Sequence, residues 1–125
     1  MNEFKVVFYK DKDGTAPVLW WLRNLMKENL KAYTDCFARI ELLKRLGHKL
    51  RRPHADYIGN DLYELRTKRG KVNYRLLYFF DGQKAIVLVH GFTKEKILPP
   101  EDIKRAIQRR EIYLANPIKH TYEEE

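Results

Sequence analysis

Three runs that favour extended backbone, residues 62–67, 72–80 and 85–90, follow one another with very little chain between them. A basic turn, Lys68-Arg69-Gly70-Lys71, separates the first two, and Asp81-Gly82, a strong hairpin signal, separates the last two. Links this short join neighbouring antiparallel strands, so the spacing predicts a meander. In the middle run Val72, Tyr74, Leu76, Tyr78 and Phe80 fall on one side, and Asn73, Arg75, Leu77 and Phe79 on the other. The first set reads as the helix-covered face. Arg75 is then expected to project from the opposite, more open face of a rigid central strand, a placement that suits a residue holding a phosphate in fixed geometry.

The remaining elements follow from composition and period. Residues 4–9 are β-branched and aromatic and end at the turn-forming Asp11-Lys12-Asp13-Gly14, which predicts a first strand. Thr15 and Pro17 open a short helix carrying Val18, Leu22 and Leu25 and ending near Met26 or Lys27. A second helix starts at Asn29, with Leu30, Tyr33, Phe37, Ile40, Leu43 and Leu46 as its apolar stripe, Lys31, Asp35, Arg39 and Lys44 on the other face, and Gly47 as its stop. Residues 48–61 read as loop. Pro100 can begin a closing helix through Ile103, Ala106, Ile107 and Leu114, since a first-turn residue needs no amide donor. The expected class is α+β in the order β-α-α-β-β-β-α: a mostly antiparallel twisted sheet, a helical hairpin on one face and a C-terminal helix. Residues 1–119 are expected to form one domain and residues 120–125 a flexible acidic tail.

The charge is unevenly spread. Of the formal net charge of +8, residues 44–75 hold +7, with ten Lys or Arg against Asp56, Asp61 and Glu64. With Tyr57, Tyr63 and Tyr74 interleaved, that window suits a polyanion, RNA first. The plainer alternative is a solvated surface that keeps the protein soluble. Cys36 has no partner for an internal disulfide and lies in an apolar helical pattern, which points to a buried structural thiol. The histidines at 48, 54, 90 and 120 lack companions at metal-ligand spacing, so no metal site and no cofactor are expected. No apolar run approaches the length of a membrane span and no leader pattern opens the chain, so a cytoplasmic location is expected, with no membrane partner.

Three motifs in this order, Leu62-Tyr63-Glu64-Leu65-Arg66, Tyr74-Arg75-Leu76-Leu77-Tyr78 and His90-Gly91-Phe92-Thr93-Lys94-Glu95-Lys96 followed by Pro99 and a helix, closely resemble the RelE/HigB toxins of bacterial type II toxin-antitoxin systems, in particular their phage-derived HigB-like branch. The resemblance covers about residues 3–115. It implies a small RelE-like fold and a ribosome-dependent mRNA endoribonuclease (an mRNA interferase) that inhibits translation by cutting mRNA in the ribosomal A site. It also implies restraint by a helix-turn-helix, HigA-like antitoxin, and cleavage without metal by the RNA's own 2′-hydroxyl. The ParE toxins share the fold but inhibit DNA gyrase, and a nucleic-acid-binding module without activity is a third possibility.

Cleavage of that kind needs a base for the 2′-hydroxyl, stabilisation of the phosphorane and an acid for the departing 5′-oxygen. Arg75, and second Arg66, suit charge stabilisation because a guanidinium donates to two phosphate oxygens and keeps its proton. Lys94 is assigned as base and Lys96 as phosphate contact or acid, since neighbouring cations push a lysine toward the neutral amine. Arg66 can instead simply pair with Glu64 on the same strand face, and Lys94 and Lys96 can be ordinary loop surface. Lys68, Arg69, Lys71, Arg51, Arg52 and His54 are assigned to RNA contact, or else are solvated turn and loop residues. His90 is assigned a structural hydrogen bond, and Trp20 and Trp21 a packing or antitoxin role. Neither Tyr113 nor Tyr122 aligns securely with the base-stacking tyrosine of some family members.

Overall fold

The computed structural model describes residues 3–94 and 99–123. Within them the chain forms β1 (Lys5–Phe8), α1 (Pro17–Glu28), α2 (Leu30–Leu46), a single 3-10 turn (Gly47–Lys49), β2 (Ala55–Gly59), β3 (Leu62–Arg69), β4 (Val72–Asp81), β5 (Ala85–Lys94) and α3 (Pro100–Ala115). The five strands make one sheet in the order β1-β5-β4-β3-β2. Strands β3 to β5 are antiparallel neighbours, as the two short turns require; β2 pairs antiparallel with β3, and β1 joins the edge of β5 in parallel. The class and the meander agree with the sequence reading. The fifth strand does not: β2 lies in the stretch read as loop, because its pattern is only Ala55-Asp56-Tyr57-Ile58-Gly59 and its pairing with β3 supplies the order that composition does not.

Alternation along β4 feeds two cores. Tyr74, Leu76 and Tyr78 join Leu65, Ile86 and Leu88 under the α1–α2 hairpin, together with Val18, Leu22, Leu25 and Leu43. Leu77 and Phe79 join Leu62, Val87, Val89 and Phe92 under Ala106 and Tyr113 of α3. The face expected to be open is thus partly roofed by α3. Tyr113 is buried there and donates its hydroxyl to Asp81 at 2.9 Å, which removes it from any base-stacking role.

The stripe of α2 is rotated from the expected one. The residues it buries are Ala32, Cys36, Ile40 and Leu43, whereas Leu30, Phe37 and Leu46 are exposed. Ile40 and Leu43 of the expected stripe are buried, and the small side chains of Ala32 and Cys36 complete the buried face in place of Leu30, Phe37 and Leu46. Asn29 caps this helix by accepting from the Ala32 N–H at 3.1 Å. Cys36 is the buried thiol expected, its pKa pushed up to about 12 by burial. The chain end also departs from expectation. His120 is buried, stacks on Tyr9 and accepts through its carbonyl from the Lys10 N–H, while Tyr122 N–H donates to Phe8, so residues 120–122 dock along β1 rather than forming a free tail.

Gly47, at the end of α2, adopts φ +52° and ψ −120°, and a Cβ there would run into the ring of Phe4. Gly47→Ala combines a backbone conformation that L residues avoid with a steric conflict, and is expected to lower stability by about 2 kcal/mol or more in urea unfolding.

Candidate active-site groove

The site begins with a conflict that the β3–β4 register creates. Arg66 and Arg75 are direct cross-strand partners and project from the same face of the sheet. Like charges placed opposite each other repel, and the repulsion grows with burial. Glu64, two residues before Arg66 and on the same face, resolves it. Its Oε1 forms an ion pair with Arg66 Nε at 3.0 Å, and its Oε2 accepts from an Arg75 NH at 3.1 Å. Glu64 is only 4% exposed and Arg75 only 6%, while the Arg66 side chain keeps about a third of its surface in solvent. Arg75 is therefore rigidly held, as its central strand suggests. It sits at the base of a groove, not on an open face.

That groove, about 540 Å³, is bordered by Arg66, Thr67, Lys68, Asn73 and Arg75 from the hairpin, by Pro53 and His54 from the loop before β2, and by Arg39 from α2. The loop is tied down by its own backbone. His54 N–H donates to Arg51 at 3.1 Å, and the His54 carbonyl accepts from Arg66 N–H at 2.9 Å, which sets His54 beside β3. Arg39 contacts His54 Nδ1.

The sequence candidates divide accordingly. Arg66, Arg75, Lys68 and His54 meet at the groove. Arg69 does not: it lies on the opposite face of β3, where its guanidinium holds Asp35 of α2 through contacts of 2.7 and 3.2 Å and keeps that carboxyl below its usual range. Lys71 is exposed in the hairpin turn. Arg51 and Arg52 border a separate cavity on the other side of the same loop. The backbone of Lys94 is registered opposite the groove residue Asn73, and Lys96 lies outside the described residues. Sequence reasoning treated Glu64 only as a partner that would remove Arg66 from function, and Arg39 only as helix surface. The signal for both was present in the same-face spacing of Glu64 and Arg66 and in the polar stripe of α2.

A second polar cluster fixes α3 to the sheet. Asp102 accepts from His90 Nε2 at 2.5 Å, and Arg109 donates to His90 Nδ1 at 2.9 Å and to the Val89 carbonyl at 2.8 Å. This is the structural hydrogen bonding expected of His90. Trp21 packs over Gly91, where a Cβ would come within 2.8 Å of the indole, whereas Trp20 is exposed.

Three helices on a five-stranded, mostly antiparallel sheet, with the last helix at the C-terminal end, constitute a small RelE-like fold. The family model described as Phage derived protein Gp49-like (DUF891) matches residues 21–111. The chain belongs to that family, a toxin-antitoxin-associated family related to RelE-type toxins, which implies an antitoxin partner. A comparison with curated proteins finds no match. Among the described residues no helix is long and apolar enough to cross a membrane.

Two outcomes are expected. Glu64→Gln leaves two guanidinium groups without their shared carboxylate and should cost about 3 kcal/mol in urea unfolding; a cost below about 0.5 kcal/mol, the range of ordinary surface substitutions, would show that the bridge carries no weight. Burial lowers the pKa of His90 from its ordinary 6.5; the hydrogen bond to Asp102 opposes this and the charge of Arg109 adds to it. A ring that binds its proton more weakly when folded leaves stability unchanged above pH 6.5 and reduces it as the pH falls below that value. The loss of stability below pH 6.5 should be shallower in His90→Gln than in the unaltered protein.

Proposed function

We propose that the chain is the toxin of a type II toxin-antitoxin pair, of the HigB-like branch, and acts as a ribosome-dependent mRNA endoribonuclease. One observation supports this reading above the rest: two guanidinium groups from adjacent strands converge, through one shared carboxylate, on a groove that also gathers Arg39, Lys68 and His54. A groove with that excess of positive charge and fixed donors suits a phosphodiester whose charge increases in the transition state.

In this reading the scissile phosphate replaces water at the exposed side of the pair, with Arg75 and Arg66 donating to its non-bridging oxygens. The 2′-oxygen bonds to phosphorus as the bond from phosphorus to the 5′-oxygen breaks. The products are a 2′,3′-cyclic phosphate and a free 5′-hydroxyl. The 2′-proton passes to a base, assigned to Lys94, and the 5′-oxygen takes a proton from an acid, assigned to Lys96; His54 at the groove wall assists that traffic. Glu64 touches no substrate. It holds both guanidinium groups at the angle the phosphorane requires and tempers their mutual repulsion. Lys68, and beyond the groove Lys71 and Arg69, add nonspecific attraction for the RNA or ribosomal backbone.

The test is to map new 5′ ends on a translated mRNA with and without ribosomes. Cuts that appear only with ribosomes and drop by about 100-fold in Arg75→Ala, and by a similar or smaller factor in Arg66→Ala, are expected. Intact mRNA with inhibited gyrase would replace this reading with the ParE type of activity, and intact mRNA with normal gyrase would leave binding alone.

A further inference from the structure

On the far side of the Arg51–His54 loop lies a second cavity, about 500 Å³, that the cleavage chemistry does not use. Its wall is aromatic and its rim is basic. Tyr57 is 54% exposed, yet its ring is fixed: the Asp61 N–H donates to its hydroxyl oxygen at 3.2 Å, and Tyr63 meets it edge-on with centroids 5.1 Å apart. Tyr63 is itself stacked on Tyr78 at 5.5 Å, and exposed His48 stacks on Phe80 at 3.7 Å. An aromatic surface ordered in this way, with one face left in solvent, loses little conformational freedom when a planar ring settles on it. The rim charges are unequal. Asp56 is held by Arg52 at 2.9 Å, whereas Arg51 is exposed and makes no ion pair among the described residues.

We infer that this cavity is a subsite for one nucleotide of single-stranded RNA, the base stacking on Tyr57 and its phosphate meeting Arg51. The inference rests on the RNA-cleaving reading for its biological occupant. One continuous segment links the two sites, since Arg51 and Arg52 border this cavity and Pro53 and His54 border the catalytic groove. A strand lying across the loop puts one nucleotide in each. Stacking tolerates any base, so the subsite sets the register of the strand without choosing its sequence.

The probe is adenosine 5′-monophosphate, titrated into the full chain while the aromatic resonances of Tyr57, Tyr63 and His48 are followed. All three should shift, inorganic phosphate alone should leave the Tyr57 ring unmoved, and Tyr57→Ala should weaken binding about tenfold. Tyr57→Phe keeps the ring and should retain most of the affinity. Thermal unfolding of Tyr57→Ala should stay cooperative and fall only by the loss of the Asp61 and Tyr63 contacts, which separates lost stacking from lost fold. Unshifted aromatic resonances, or shifts of equal size from an oligo-aspartate peptide, would overturn the assignment, the latter by placing an acidic protein segment there. Cleavage of mRNA with no response to the nucleotide would remove the subsite and leave the nuclease reading intact; nucleotide binding without cleavage would do the reverse.

Discussion

The carboxylate of Glu64 is the contact on which the organisation of this protein turns. Antiparallel pairing of β3 with β4 forces Arg66 and Arg75 into opposition on one face, with Arg75 almost wholly out of water. Without an acid between them, that register would be penalised by both desolvation and repulsion. With it, two cations become one rigid donor array that retains a net positive charge, and the sheet can carry them at its centre. Fold stability and site geometry thus depend on the same three side chains.

The same principle runs through the rest of the basic window. Arg52, Arg66, Arg69 and Arg75 each have a carboxylate within 3.1 Å, supplied by Asp56, Glu64 and Asp35. The acids do not cancel the field so much as aim it. Arg69 is spent on fastening β3 to α2, while Lys68 on the opposite face is left at the groove. On the far side of the sheet, His90, Asp102 and Arg109 perform the corresponding task for α3, with the imidazole accepting from one partner and donating to the other. Polar contacts of this kind fix the angle of each helix more narrowly than apolar packing alone would.

What could be read from the sequence was whatever short-range physics decides. Two turns of fixed length determined the β3–β4–β5 meander, and alternation in β4 separated the two cores. β2 escaped because its five residues gain their order from pairing with β3, a partner that periodicity in one segment does not reveal. The stripe of α2 was misplaced because Ala32 and Cys36 carry a weak apolar signal yet are fully buried, while Phe37 carries a strong one and is half exposed. At the site, Arg66, Arg75, Lys68 and His54 were legible as candidates. The burial of Arg75 was not, since it depends on Glu64 and Arg66 of the neighbouring strand closing around its guanidinium, which alternation within one strand does not reveal. Arg39 was also hidden, because its meeting with His54 joins a helix to a loop fifteen positions away.

The most direct measurement is the structure of the protein on a translating ribosome, bound to an mRNA whose 2′-hydroxyl at the scissile position is methylated so that it cannot attack. The scissile phosphate should lie within about 3 Å of guanidinium nitrogens of both Arg75 and Arg66, with Glu64 still bridging the pair from behind. A phosphate seated elsewhere, with Arg75 still closed off on Glu64 and touching no RNA, would mean that the buried pair serves the fold alone.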